Sequence, residues 1–240
     1  MRFRFRPVLA VCAAAGVAVL VSLGVWQLER LAWKRDLIAR TELRLAAAPI
    51  TFDEAVARSL AGENMEYAPV VLDGVYAHDL EARVFGSLKG EAGAYVLTPL
   101  DVPAPGGGRR FIYVNRGFVP QRLVKSETRA ESDVKGEVAV DGLFRAAETP
   151  SGFAKLFQPA DQPEDNLWFV RDPARLAAHH QIETVPYYVD SSGAENPAPW
   201  PKGGTTRLEF PNRHFEYALT WFGLAAALVG VYLAFSLKRG

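Results

Sequence analysis

Two uncharged apolar runs, one near each end of the chain, constrain its fold more than any other feature. Val8 to Leu28 is apolar apart from Ser22 and Gln27, and Tyr217 to Leu237 carries no formal charge. At about 1.5 Å of rise per residue, each run is long enough as a helix to cross a hydrocarbon layer of about 30 Å. Each therefore reads as a transmembrane helix. A cleaved signal peptide is the competing reading of the first run, which follows the basic stretch Met1-Arg2-Phe3-Arg4-Phe5-Arg6-Pro7. The run is longer than a signal core and passes into Trp26-Gln27-Leu28-Glu29-Arg30 with no small-x-small cleavage site, which favours retention.

Two spans put both termini on one side of a membrane and the roughly 185 residues between them on the other, as one globular domain. The arginines at the start and Lys238-Arg239 at the end place both tails in the cytoplasm, although Arg30, Lys34, Arg35 and Arg40 flank the first span on its far side. The expected organisation is a cytoplasmic tail over 1–7, a span over 8–28, a periplasmic domain over 29–213, a second span with an interfacial first turn over 214–237, and a tail over 238–240. Without a presequence rich in serine and arginine, a bacterial inner membrane is the simplest location. Basic and acidic residues balance at 27 each, which argues against a nucleic-acid partner. Cys12, the only cysteine, lies in the first span, so the domain is expected to have neither a disulfide nor a thiolate metal site.

The first helix is expected to leave the membrane and continue to about Ala46, before Pro49, with a short helix following over Phe52 to Leu60. From Tyr67 the chain breaks into β-branched and aromatic runs divided by Gly, Pro and Asp. These include Arg83 to Leu88, Ala94 to Leu100, Arg110 to Val119 and Val138 to Phe144. Pro105-Gly106-Gly107-Gly108 reads as a hairpin loop and Gln121 to Lys135 as an exposed loop or short helix. Further strands are expected over Asn166 to Val170, Val185 to Asp190 and Thr206 to Phe210, with a helix from Asp172-Pro173 to His180. The fold class is thus two transmembrane helices flanking a mainly antiparallel β domain of the α+β class, a sheet or small barrel.

Familiar catalytic motifs are missing: there is no Gly-x-Ser-x-Gly elbow, dinucleotide fingerprint or reactive cysteine pair. Four histidines remain. His179 and His180 are adjacent and read as an exposed polar helix face, and His78 beside Asp79 reads as a turn residue. Arg116 ends a long strand and suits either a carboxylate or haem propionate, or an ion pair with a local acid. His214, Tyr217 and Trp221 fall at i, i+3 and i+7 of the second helix, at the depth where Trp26, Arg30 and Trp33 leave the membrane. Two readings follow. The groups form an aromatic belt that anchors the helices, or they offer a histidine ligand, an arginine and an aromatic wall to a flat anionic guest such as haem.

The same residues carry a family resemblance. Leu23-Gly24-Val25-Trp26-Gln27-Leu28-Glu29-Arg30, Gly93-Ala94-Tyr95-Val96-Leu97-Thr98-Pro99, Val114-Asn115-Arg116-Gly117-Phe118-Val119-Pro120, Trp168 with Arg171-Asp172, and Asn212-x-His214-x-x-Tyr217 with Thr220-Trp221 resemble the Surfeit-locus cytochrome c oxidase assembly factor family, in order over almost the whole chain. The resemblance implies a non-enzymatic assembly factor that supplies haem a to subunit I of a haem-copper oxidase or stabilises that subunit around insertion. The partners implied are subunit I, haem a synthase and the lipid bilayer. His214 matches the histidine associated with haem binding in bacterial members. The roles expected are ligation of haem iron or gating by His214, propionate contact by Arg30 or Arg116, and haem packing by Trp26, Tyr217 and Trp221. Glu216 departs from the glutamine common before the tyrosine; ionised beside His214, it would raise the histidine's pKa and weaken it as a neutral ligand. The rival reading is a protein-only chaperone of subunit I. A membrane oxidoreductase is disfavoured by the lack of a redox cysteine pair or nucleotide motif.

Overall fold

A computed structural model describes residues 2–3, 6–206, 208 and 212–238. The α-helices among them are α1 (Pro7–Leu45), α2 (Phe52–Leu60), α3 (Phe153–Leu156), α4 (Pro173–His180) and α5 (His214–Ser236). The strands are β1 (Arg2–Phe3), β2 (Ile50–Thr51), β3 (Pro69–Tyr76), β4 (Ala82–Leu88), β5 (Glu91–Pro103), β6 (Arg109–Pro120), β7 (Glu137–Ala146), β8 (Leu167–Trp168), β9 (Tyr187–Ser191) and β10 (Leu237–Lys238). They divide into two compact units, Met1–Glu42 with Leu208–Gly240, and Leu43–Arg207.

The first unit is a pair of helices, α1 and α5, both long and apolar enough to cross a membrane. As expected, α1 runs unbroken past the polar residues that follow Leu28. The two helices pack antiparallel through small residues, which let backbones approach. A Cβ on Gly24 would lie 2.6 Å from Phe222 Cε1, and one on Gly16 2.8 Å from Leu228 Cδ2. Ala218 and Ala225, two turns apart on α5, are buried, while Val8, Val11, Val19, Val231 and Phe235 stay exposed. Ser22 and Thr220 bond within their own helices, Ser22 Oγ to the Ala18 carbonyl at 2.8 Å and Thr220 Oγ1 to the Glu216 carbonyl at 2.9 Å. At the far end β1 pairs antiparallel with β10, Phe3 opposite Leu237.

The second unit is a closed five-stranded barrel. Around the ring β3 pairs with β7, β7 with β9, β9 with β6, β6 with β5, and β5 returns to β3 where Val75 faces Asp101 and Tyr76 faces Leu100. Alternation builds the wall: along β3, Val70, Leu72 and Tyr76 point inward and Val71 and Val75 outward. The core joins Phe52 and Ala55 of α2 to Leu72, Leu100, Ile112, Val114, Val140, Phe144 and Val189. A second cluster, Val84, Leu97, Tyr113, Trp168 and Tyr188, packs under Leu176 of α4. The helix α4 begins as its sequence requires, with Pro173 in the first turn and Asp172 Oδ1 accepting from the Ala174 amide at 3.1 Å.

The sheet is mainly antiparallel, as expected, with parallel pairings of β6 with β9 inside the ring and of β4 with β8 and β2 with β3 outside it. For β9 the cause is the long excursion after β7 through α3 and α4, which returns the chain in the direction of β6. The hairpin at Pro105 to Gly108 forms as expected, closed by the Ala104 amide donating to the Gly108 carbonyl at 3.0 Å. Gln121 to Lys135 holds 3-10 turns rather than open loop, and Arg129 within it is buried. Of the strand expected over 206–210, residues 207, 209 and 210 lie outside the described residues, as does Pro211.

Candidate functional site

His214 opens α5, and its half-buried ring reaches across to α1, where Nδ1 lies 2.7 Å from Gln27 Oε1. An amide oxygen can only accept, so in this contact Nδ1 is the donor. No hydrogen-bond partner for Nε2 is found among the described residues. The buried stripe of α5 runs from His214 through Ala218 to Ala225, with Trp221 and Phe222 half-buried beside it. Tyr217 lies about 60° round the helix from His214 and is 53% exposed. On α1 the inward side carries Gly24, Gln27 and Leu31, which leaves Trp26, also 53% exposed, on the outer flank. Arg30 folds its guanidinium over the Trp33 ring at 3.8 Å, a cation–π contact, and has no carboxylate partner among the described residues. Thus helix geometry joins His214 to Gln27. No side-chain hydrogen bond, ion pair or ring contact links it to Tyr217, Trp221, Trp26 or Arg30 among the described residues. Glu216 turns to Arg213, 2.9 Å from its Nε, so its charge is met away from the His214 ring.

Arg116 belongs to the barrel unit. Its side chain is fully buried, donates to the Ser132 carbonyl, lies 3.4 Å from His78 Nδ1 and sits 5.0 Å from the centre of the Tyr76 ring. Burial pulls this guanidinium below its ordinary pKa. His78 stands in a turn, as expected, and its Nε2 is 2.9 Å from the Val134 carbonyl. His179 is exposed, its ring edge-on to Trp168, but His180 departs from an exposed face because Tyr113 Oη lies 2.9 Å from its Nδ1. No group of three metal-ligating side chains occurs among the described residues.

A polar cavity of about 250 Å³, lined in part by Tyr67, Tyr95, Asn115, Arg145, Arg171 and Asp190, was not foreseen. Asp190 accepts from Asn115 at 2.7 Å and from Thr206 at 2.9 Å and pairs with Arg145, which also meets Glu66 at 2.7 Å. Arg171 pairs with Glu148 at 2.5 Å and lies over the Tyr95 ring. The available signal was charge within strands: Arg145 and Asp190 interrupt the apolar runs of β7 and β9.

The fold and this junction define a class of protein in which two long apolar helices, hydrogen-bonded to each other through a histidine and a glutamine, bracket a closed β-barrel in sequence. The model of the SURF1 family matches residues 14–226, and the chain belongs to that family. It is similar to Surfeit locus protein 1 of Rattus norvegicus, 37% identical over 225 residues that cover 88% of this chain and 70% of the relative. Surfeit locus protein 1 of Homo sapiens is 35% identical over 221 residues, 85% of this chain and 70% of the relative. That of Takifugu rubripes is 36% identical over 241 residues, 92% and 94%.

Proposed function

We propose that this chain is an assembly factor for haem-copper cytochrome c oxidase that transiently holds haem a for oxidase subunit I, acting by binding rather than catalysis. Membership of the SURF1 family supports the role in oxidase assembly. In this reading α1 and α5 cross the bacterial inner membrane, the barrel is periplasmic, the bilayer is one partner and haem a synthase another.

The observation that carries the haem assignment is the half-buried His214 ring at the head of an apolar helix, with one nitrogen held by Gln27 and the other without a hydrogen-bond partner among the described residues. That is the arrangement a protein uses to present an imidazole to a metal. Haem a, when bound, would supply an iron able to take an imidazole nitrogen. His214 Nε2 would face it, Arg30 would meet a propionate, and Trp221 would pack on the ring with Trp26 and Tyr217 at the flanks. Arg116 is already engaged inside the barrel, where it donates to the Ser132 carbonyl. The test is titration of the detergent-purified protein with haem a, followed by absorption. The parent should bind, and His214→Ala should bind at least about tenfold more weakly. Equal binding by the variant would remove His214 as the ligand.

The outward-facing Trp26 and Tyr217 favour a second reading, in which the helix pair docks against the helices of subunit I and no haem is held. Co-purification with subunit I from cells unable to make haem a would support it, and loss of the complex in those cells would oppose it.

A further inference from the structure

We propose that Gln27 is the positioning residue for His214, fixing its proton on Nδ1 and its ring orientation so that Nε2 faces outward as the ligand. The inference rests on the haem-binding reading for its purpose and on the helix junction for its content. From Val8 to Leu28 only Ser22 and Gln27 carry polar side chains. Ser22 satisfies itself on its own helix, bonding the Ala18 carbonyl at 2.8 Å. Gln27 instead crosses to α5 and bonds His214 at 2.7 Å, at the short end of the range for such bonds.

The geometry that allows this lies one turn earlier. Gly24 leaves room for the Phe222 ring, whose Cε1 would stand 2.6 Å from an added Cβ, and Gln27 follows Gly24 at i+3 on the same side. An imidazole without an acceptor can carry its proton on either nitrogen and rotate about its outer bond. One bonded through Nδ1–H to an amide oxygen has its lone pair confined to Nε2 and made more basic, which strengthens it as a ligand. The rival account is a clamp that merely ties α1 to α5, and it makes different demands.

The experiment uses the full chain in detergent at about pH 9, where an imidazole is neutral even beside a carboxylate, with Gln27→Leu, which removes the acceptor, and Gln27→Glu, which restores one at the same reach. In the haem-free protein labelled with 15N-histidine, NMR should find the His214 proton on Nδ1 in the parent and in Gln27→Glu, and redistributed in Gln27→Leu. On titration with haem a, Gln27→Leu should bind about tenfold more weakly and Gln27→Glu should recover most of the loss. A parent with its proton on Nε2 overturns the proposal. So does a Gln27→Leu variant that keeps parent tautomer and affinity while melting at lower temperature, since that is a clamp and nothing more. If no variant and no parent binds haem, yet the tautomer follows residue 27, the haem reading falls and the positioning of His214 by Gln27 stands.

Discussion

Arg129 and Glu81 form an ion pair with 1% and 6% of their side chains exposed, and Arg129 Nε also donates to the Leu123 carbonyl at 3.1 Å. Removing one partner of such a pair strands the other charge away from water, which typically costs about 3–5 kcal/mol. Glu81→Ala should therefore lower the denaturant midpoint of the barrel unit strongly, read through the fluorescence of the buried Trp168. Neither residue announces itself in the sequence. Arg129 sits in a polar stretch that reads as solvated, and only the folding of 3-10 turns around it buries it. His214 was legible from its spacing in an apolar helix, but Gln27 as its partner was not. Periodicity tells which residues share one face of a helix, not which residue of another helix meets them.

Among elements, the closure of the barrel depends on how nearly β3 can approach β5. At Gly74 an added Cβ would fall 2.4 Å from the Asp101 carbonyl oxygen and 2.9 Å from Leu100 Cγ, one position before the two strands pair. Backbone cannot yield as a side-chain tip can. Gly74→Ala should cost about 1–3 kcal/mol by overpacking, measured as a lower urea midpoint with intact secondary structure by circular dichroism. The strands themselves were readable, because apolar runs between Gly, Pro and Asp mark them and Asp172-Pro173 marks the start of α4. Their closure into a ring was not. It depends on two pairs, Val75 with Asp101 and Tyr76 with Leu100, that lie far apart in the chain. The polar cavity around Asp190 escaped for the same reason, since its arginines come from β7 and from the segment before α4.

At the scale of the molecule, acid should weaken the fold through His180. Burial lowers its pKa from the ordinary 6.5, His179 adds in the same direction and Asp79 opposes them. A depressed folded value means that the neutral ring's contribution is present above about pH 6.5. It is lost as pH falls through the folded value, because the unfolded chain takes up a proton that the folded one resists. Melting temperature should thus drop between pH 7 and pH 5, and drop less in His180→Gln, whose amide can still accept from Tyr113. Scanning calorimetry of both proteins across that range tests it.

The position of β9 also dictates an order of events. It enters the ring between β6 and β7, parallel to one and antiparallel to the other, though it is the last of the five in the chain. A nascent chain that has emerged only as far as α4 therefore holds two long strands, β6 and β7, each with an unpaired edge. The wall cannot complete until residue 191 is available. For a protein whose first helix is made long before that moment, the interval is one in which open strand edges are vulnerable to aggregation and to capture by chaperones.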